Sequence, residues 1–148
     1  MQRRRHGVAG IRRGSHGAIV AIGASMTATP REVTRAYAAL ANGGDGIVSK
    51  TTASRVSTLL EGVVESEHGT GVKARVAGVR VAGKTGTADW TLPDGTNVRY
   101  ASFVGWVPAN KPRYVIFVGV EASPSAQVWG GNIAAPVFSR VAAHALAR

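Results

Sequence analysis

The run Val81-Ala82-Gly83-Lys84-Thr85-Gly86-Thr87-Ala88-Asp89-Trp90 holds the residues best suited to chemistry in this chain. K-T-G is one of three signatures that together build a serine-acyl centre, the others being S-x-x-K and S-x-N. The ammonium of Lys84 supplies positive potential and a proton-relay partner. The hydroxyls of Thr85 and Thr87 can donate hydrogen bonds to a carboxylate. Gly86 has no side chain, so a ligand backbone can pair along the strand edge. Such groups position an acyl donor without attacking it, because a hydroxyl nucleophile needs an adjacent base. Both companion signatures are absent. No lysine has a serine three residues before it, and no serine has an asparagine two residues after it. Thr70-Gly71-Val72-Lys73 has the S-x-x-K spacing with threonine in the serine place. Three letters are a weak signal alone, since a strand with a chance lysine and a glycine bulge reads the same.

Bulk properties narrow the classes. The 148 residues suffice for one modest domain with a core. Apolar content of 45% against 18% charged excludes disorder by composition. Cysteine is absent, which excludes disulfides and thiolate chemistry. His6, His16, His68 and His144 show no ligand spacing and read as surface or loop residues, so neither metal nor cofactor is expected. The formal charge is +10, and Arg3, Arg4, Arg5, Arg12 and Arg13 crowd the first thirteen residues. A basic arm can bind nucleic acid or an anionic membrane. Without interleaved aromatics or a recognition-helix pattern, residues 1–16 read as a solvated tail. The arm followed by Ala18-Ile19-Val20-Ala21-Ile22 has the outline of a signal peptide, but the apolar run is short and broken by Gly17 and Gly23. No run is long enough to span a membrane.

The elements that must position the lysine and threonines follow from periodicity. Thr29-Pro30-Arg31-Glu32 opens a helix: Thr29 caps, Pro30 suits the first turn and Glu32 completes a capping box. Val33, Tyr37 and Leu40 recur at helical spacing, and Asn42-Gly43-Gly44 stops the helix. Val56, Leu59, Leu60, Val63 and Val64 make one apolar face of a second helix, capped by Ser49 or Thr51. Val79–Trp90 and Val98–Val107 read as strands joined by the turn Leu92-Pro93-Asp94-Gly95-Thr96. Tyr114–Val120 is a third strand, apolar on both faces and therefore expected to be buried on both. A closing helix has Pro136 in its first turn, followed by Val137, Phe138, Val141 and Leu146. Tight turns make the strands antiparallel, so the fold class is α+β: three antiparallel strands with flanking helices.

Several segments, taken in order, resemble the C-terminal part of the transpeptidase domain of class B penicillin-binding proteins. Ala28-Thr29-Pro30 with Arg35-Ala36-Tyr37-Ala38-Ala39-Leu40-Ala41-Asn42-Gly43-Gly44 resembles the family's T-P…A-Y-A-A-L-A-N-G-G helix. Glu61-Gly62-Val63-Val64 with His68-Gly69-Thr70-Gly71 resembles its V-V…G-T-G segment, which makes Thr70 structural rather than nucleophilic. Ala82–Ala88 is similar to its A-G-K-T-G-T-A strand, and Ala101-Ser102-Phe103-Val104-Gly105-Trp106-Val107-Pro108 to its A-S-F-x-G-x-x-P strand. Gly130-Gly131 with Ala134-Ala135-Pro136-Val137-Phe138 resembles its closing helix. The match runs from about Ile22 to the C-terminus.

The resemblance implies a penicillin-binding-protein/serine β-lactamase-like fold for residues 17–148. It implies that Thr85, Gly86 and Thr87 bind the carboxylate of a D-Ala-D-Ala stem peptide or a β-lactam. It implies that Lys84 shapes the cleft electrostatics and reaches toward an S-x-N serine. That serine, the S-x-x-K nucleophile, the membrane anchor, the pedestal domain and the first two sheet strands are not in this sequence, and Gly44–Val48 is short for the family. The expectation is a substrate-binding wall that neither acylates nor transfers alone, completed by a missing N-terminal half. A non-catalytic peptidoglycan-peptide or protein-binding module is the alternative, and nucleic-acid binding through the arginine arm a third. The family acts outside the cytoplasmic membrane, whereas this chain shows no clear signal for export. Trp90 either lines the cleft or packs in the hairpin.

Overall fold

The computed structural model describes residues 27–125 and 127–148, apart from the Trp90 side chain. The basic stretch 1–16, His6, His16 and the apolar run 18–22 lie outside the described residues. In chain order, helices α1 (Pro30–Ala41) and α2 (Lys50–Glu65) precede a short 3-10 turn (Val72–Ala74). Strands β1 (Ala82–Thr91), β2 (Asn97–Val107) and β3 (Tyr114–Ala122) follow, and helix α3 (Gly130–Leu146) ends the series. The sheet is antiparallel in the order β1-β2-β3. No helix among the described residues is long and apolar enough to cross a membrane.

The helix starts follow their sequence signals. The Thr29 hydroxyl accepts from the Glu32 amide at 3.2 Å, and the Glu32 carboxylate accepts from the Thr29 amide at 2.8 Å. This reciprocal box satisfies two amide donors that a helix start leaves open. Ser49, rather than Thr51, caps α2 by accepting from the Thr52 amide at 3.1 Å. At the other end of α2, Arg75 donates to the Val64 and Glu65 carbonyls at 2.9 and 2.6 Å. Those carbonyls belong to the last turn, so Arg75 ties the helix end to the segment leading into β1. In the β1–β2 turn, Gly95 has φ 86° and its amide donates to the Leu92 carbonyl at 2.9 Å. That positive φ is why glycine stands there.

The sheet separates two apolar layers. Alternation along β2 sends Phe103 and Val107 to one face and Val104 and Trp106 to the other. On the first face, Phe103 meets Phe138 of α3 edge-on, with centroids 4.7 Å apart, beside Val107, Ala134 and Ala135. On the second, Trp106 and Ala82 pack with Leu60 of α2 and Tyr37 of α1, the Tyr37 ring lying 6.2 Å from Trp106. Burial raises the Tyr37 phenol above its ordinary pKa.

Four expectations are corrected. The strand buried on both faces is β2, not β3. β2 has a neighbour on each side, whereas β3 has none beyond it among the described residues and stays half-buried. Leu59 leaves the apolar stripe of α2 and is 71% exposed, while Leu60 and Val64 turn inward. β1 begins at Ala82 rather than Val79, because the Val79 amide turns back to the Val76 carbonyl at 3.1 Å and Gly78 takes φ 72°. Helix α3 starts at Gly130, placing Pro136 inside it rather than in its first turn. The Trp129 carbonyl accepts from the Asn132 and Ile133 amides at 2.9 Å each, which starts the helix six residues ahead of the proline.

Candidate functional site

Strand β1 lies at one edge of the sheet and carries Lys84, Thr85, Gly86 and Thr87. Pairing with β2 fixes their heights: Lys84 opposes Val104, Thr85 opposes Phe103, and Gly86 opposes Ser102. Strand alternation then sends Thr85 and Thr87 toward the α3 face and Lys84 toward the α1–α2 face. Both contacts of the threonines agree. The Gly130 amide, at the first residue of α3, donates to the Thr87 hydroxyl oxygen at 3.2 Å. The Thr70 and Thr85 hydroxyl oxygens are 2.9 Å apart. The four motif residues therefore straddle an open strand edge, and do not converge in one pocket.

Glycines let these elements approach. A Cβ on Gly130 would collide with the carbonyl oxygen of Ser102 and come within 2.6 Å of that of Gly86. The start of α3 thus sits directly on the backbone of β1 and β2. A Cβ on Gly86 would come within 2.6 Å of the Ser102 hydroxyl, so a side chain at this point of the motif requires that hydroxyl to turn away. Along the outer edge of β1, the strand has no partner among the described residues and can accept an extended peptide.

The charged groups are distributed as follows. Lys84 is exposed, and its ammonium donates to the Thr85 carbonyl at 2.9 Å. Lys73 donates to the Asn132 side-chain oxygen at 3.0 Å and makes no bond to Thr70. Thr70-Gly71-Val72-Lys73 therefore lacks the base that would activate a hydroxyl, and its threonine instead holds Thr85. Further along the hairpin, Arg99 grips Asp89 through two bonds of 2.6 and 2.7 Å and reaches the Ser125 carbonyl at 3.1 Å. The Arg99 bonds hold the exposed Asp89 carboxyl below the usual carboxylate range. His68 and His144 are exposed, and no cluster of histidine and acidic side chains fit for a metal occurs among the described residues. A separate groove of about 730 Å³ lies at the far end of α3, lined by Tyr114, Val137, Arg140, Val141, His144, Ala145 and Arg148. It shares no residue with the β1 edge.

Sequence reasoning located the motif strand and missed three groups around it: Gly130, which fixes Thr87; Thr70, which fixes Thr85; and the Lys73–Asn132 bond. The G-T-G and G-G pairs were visible as segments, but meetings between positions 15 and 59 residues apart have no local signal.

Comparison with known proteins gives a consistent result. The family model described as the penicillin binding protein transpeptidase domain matches residues 4–143, a range that includes most of the basic stretch. Peptidoglycan D,D-transpeptidase FtsI of Escherichia coli K12 is 30% identical over 143 residues, covering 84% of this chain and 24% of that protein. Stage V sporulation protein D of Bacillus subtilis is 38% identical over 98 residues, covering 64% of this chain and 15% of that protein. Among solved structures, the transpeptidase domain of FtsI4 D,D-transpeptidase from Legionella pneumophila aligns with TM-score 0.73 at 38% identity. That alignment covers 87% of this chain and 50% of the domain. Penicillin binding protein 3 from Mycobacterium tuberculosis aligns with TM-score 0.72 at 32% identity, covering 86% of this chain and 36% of its own. This chain spans about a quarter or less of the length of these curated relatives.

Proposed function

Because the chain belongs to the penicillin-binding protein transpeptidase family, we propose that residues 17–148 form the C-terminal part of a serine D,D-transpeptidase domain, which cross-links peptidoglycan. The observation that carries this reading is the K-T-G-T strand at an open sheet edge, with both threonine hydroxyls held by neighbouring elements. Thr85 and Thr87 bind the carboxylate of a D-Ala-D-Ala stem peptide or of a β-lactam. Gly86 lets the ligand backbone run along β1, and Lys84 supplies positive potential and a proton-relay partner on the other face.

In the complete domain, a serine from outside this chain attacks the D-Ala-D-Ala carbonyl. The bond to the terminal D-Ala breaks, that D-Ala leaves with its amine protonated, and the acyl group passes to an amine of a second stem peptide. This chain contributes recognition and electrostatics and not the nucleophile. The reaction belongs at the outer face of the cytoplasmic membrane. A second reading is a binding module that holds stem peptides without chemistry. It is favoured by the Phe103–Phe138 packing on one face of the sheet and the Trp106–Tyr37 packing on the other, which gives these residues a core of their own.

Intact-mass spectrometry after incubation with benzylpenicillin tests the assignment of roles. The expected result is an unmodified chain. A stable acyl adduct on any residue would place a nucleophile in this chain and overturn the reading.

A further inference from the structure

We propose that Arg99 sets the selectivity of the β1 face for an anionic ligand by masking Asp89, an inference that rests on Thr85 and Thr87 being carboxylate ligands. Asp89 is the only acid in β1 and β2, and Lys84 and Arg99 are their only cations. The register sets Asp89 directly opposite Arg99, Thr87 opposite Ala101 and Thr85 opposite Phe103. Thr85, Thr87, Asp89 and Arg99 therefore share the α3 face, and Lys84 lies on the other. Two residues of extended strand separate Asp89 from Thr87, which sets their Cα atoms about 7 Å apart. The Asp89 side chain is 55% exposed, so its charge faces the solvent through which a ligand reaches Thr87.

A bare carboxylate at Asp89 would repel the carboxylate of a ligand at Thr87. Arg99 cancels that charge from a fixed position. Its guanidinium makes two bonds to Asp89, of 2.6 and 2.7 Å, and a third of 3.1 Å to the Ser125 carbonyl. The same group lies over the Trp129 ring, 4.9 Å from its centroid. Held on three sides, it does not swing to the ligand. Arg99 acts through Asp89 and leaves the anion to the threonine hydroxyls, which donate more strongly to a carboxylate than to a neutral amide. The two partners then have opposite effects on binding. Removing the Arg99 charge leaves a bare acid beside Thr87, and removing the Asp89 charge leaves a bare cation.

Affinities of the full chain for an acylated peptide ending in D-Ala-D-Ala, and for its C-terminal carboxamide, test the proposal by 15N–1H NMR titration. Arg99→Gln should weaken binding of the acid about threefold, and Asp89→Asn should tighten it about threefold. The double variant, neutral at both positions, should return to within about twofold of the parent. Arg99→Lys keeps the charge and should keep the affinity. Binding of the carboxamide should not change in any variant. In about 0.5 M salt, where the screening length falls to about 4 Å, the differences should vanish. Far-UV circular dichroism verifies that each variant keeps its fold. A pair that merely braces the hairpin predicts weaker binding in both single variants and no recovery in the double. That result overturns the masking role and leaves the threonine assignment standing. A parent chain that does not respond to the acid, or responds equally to acid and carboxamide, overturns both.

Discussion

Substituting Gly130 by alanine separates a packing requirement from a preference for glycine. The added Cβ would collide with the Ser102 carbonyl oxygen and lie 2.6 Å from the Gly86 carbonyl oxygen and 3.1 Å from the Gly86 amide nitrogen. All three are backbone atoms of β1 and β2, so no flexible side chain can move aside. Relief requires the start of α3 to lift by several tenths of an ångström, which loosens the Gly130–Thr87 bond of 3.2 Å. Forced overpacking of this kind costs about 1–3 kcal/mol. At the start of a helix the gain from replacing glycine offsets only part of that. A net loss of about 2 kcal/mol corresponds to a fall of about 1 M in the urea midpoint. Gly62 is the internal control. It lies within α2, and a Cβ there meets nothing within 4 Å. Gly62→Ala should therefore stabilise by about 0.5–1 kcal/mol through helix propensity. Urea unfolding followed by far-UV circular dichroism measures both. A Gly130→Ala midpoint equal to or above the parent refutes the claim that α3 is seated on the β1–β2 backbone.

Three further outcomes follow from the same contacts. Phe138→Ala removes a fully buried ring that holds α3 to β2 and should cost about 3–5 kcal/mol in the same unfolding experiment. Thr29→Ala removes the hydroxyl half of the capping box and should cost about 1 kcal/mol. The Glu32 carboxyl sits below its ordinary value of 4.5, chiefly through the Thr29 amide and secondarily through the Thr29 hydroxyl. A carboxyl lowered by folding adds stability above its unfolded value and loses it as pH falls through the folded value. In Thr29→Ala, NMR titration should show Glu32 moving partway back toward 4.5, because the amide bond remains. Arg99→Lys replaces a two-bond grip on Asp89 with a point charge and gives up the reach to Ser125. Hydrogen exchange should quicken in the segment between β3 and α3, and Asp89 should titrate closer to an ordinary carboxylate.

Local signals were legible and contacts between elements were not. The capping box at Thr29–Glu32, the Asn42-Gly43-Gly44 stop and the Pro93-Asp94-Gly95 turn each act within five residues, so composition alone shows them. The α+β class followed from three strands joined by turns, and the family from motifs kept in order. What failed was any reading that depended on neighbours. An apolar run such as Tyr114–Val120 reads the same at the centre of a sheet as at its edge. Leu59 fits a helical stripe by period, yet the layer it would face ends at Leu60 and Val64. At the site, the identities of Lys84, Thr85, Gly86 and Thr87 were visible. Their division between two faces, and the anchoring of Thr85 and Thr87 by Thr70 and Gly130, became visible only with the register.

The measurement that bears most directly on the recognition role is a 15N–1H NMR titration of the full chain with an acylated peptide ending in D-Ala-D-Ala. The same peptide with a C-terminal carboxamide serves as the control. The account predicts that the free carboxylate shifts the amide signals of Thr85, Gly86, Thr87 and Gly130, that the carboxamide does not, and that Thr85→Val with Thr87→Val abolishes the response. Shifts confined to the Arg140–Arg148 end of α3, or equal responses to acid and amide, would contradict it.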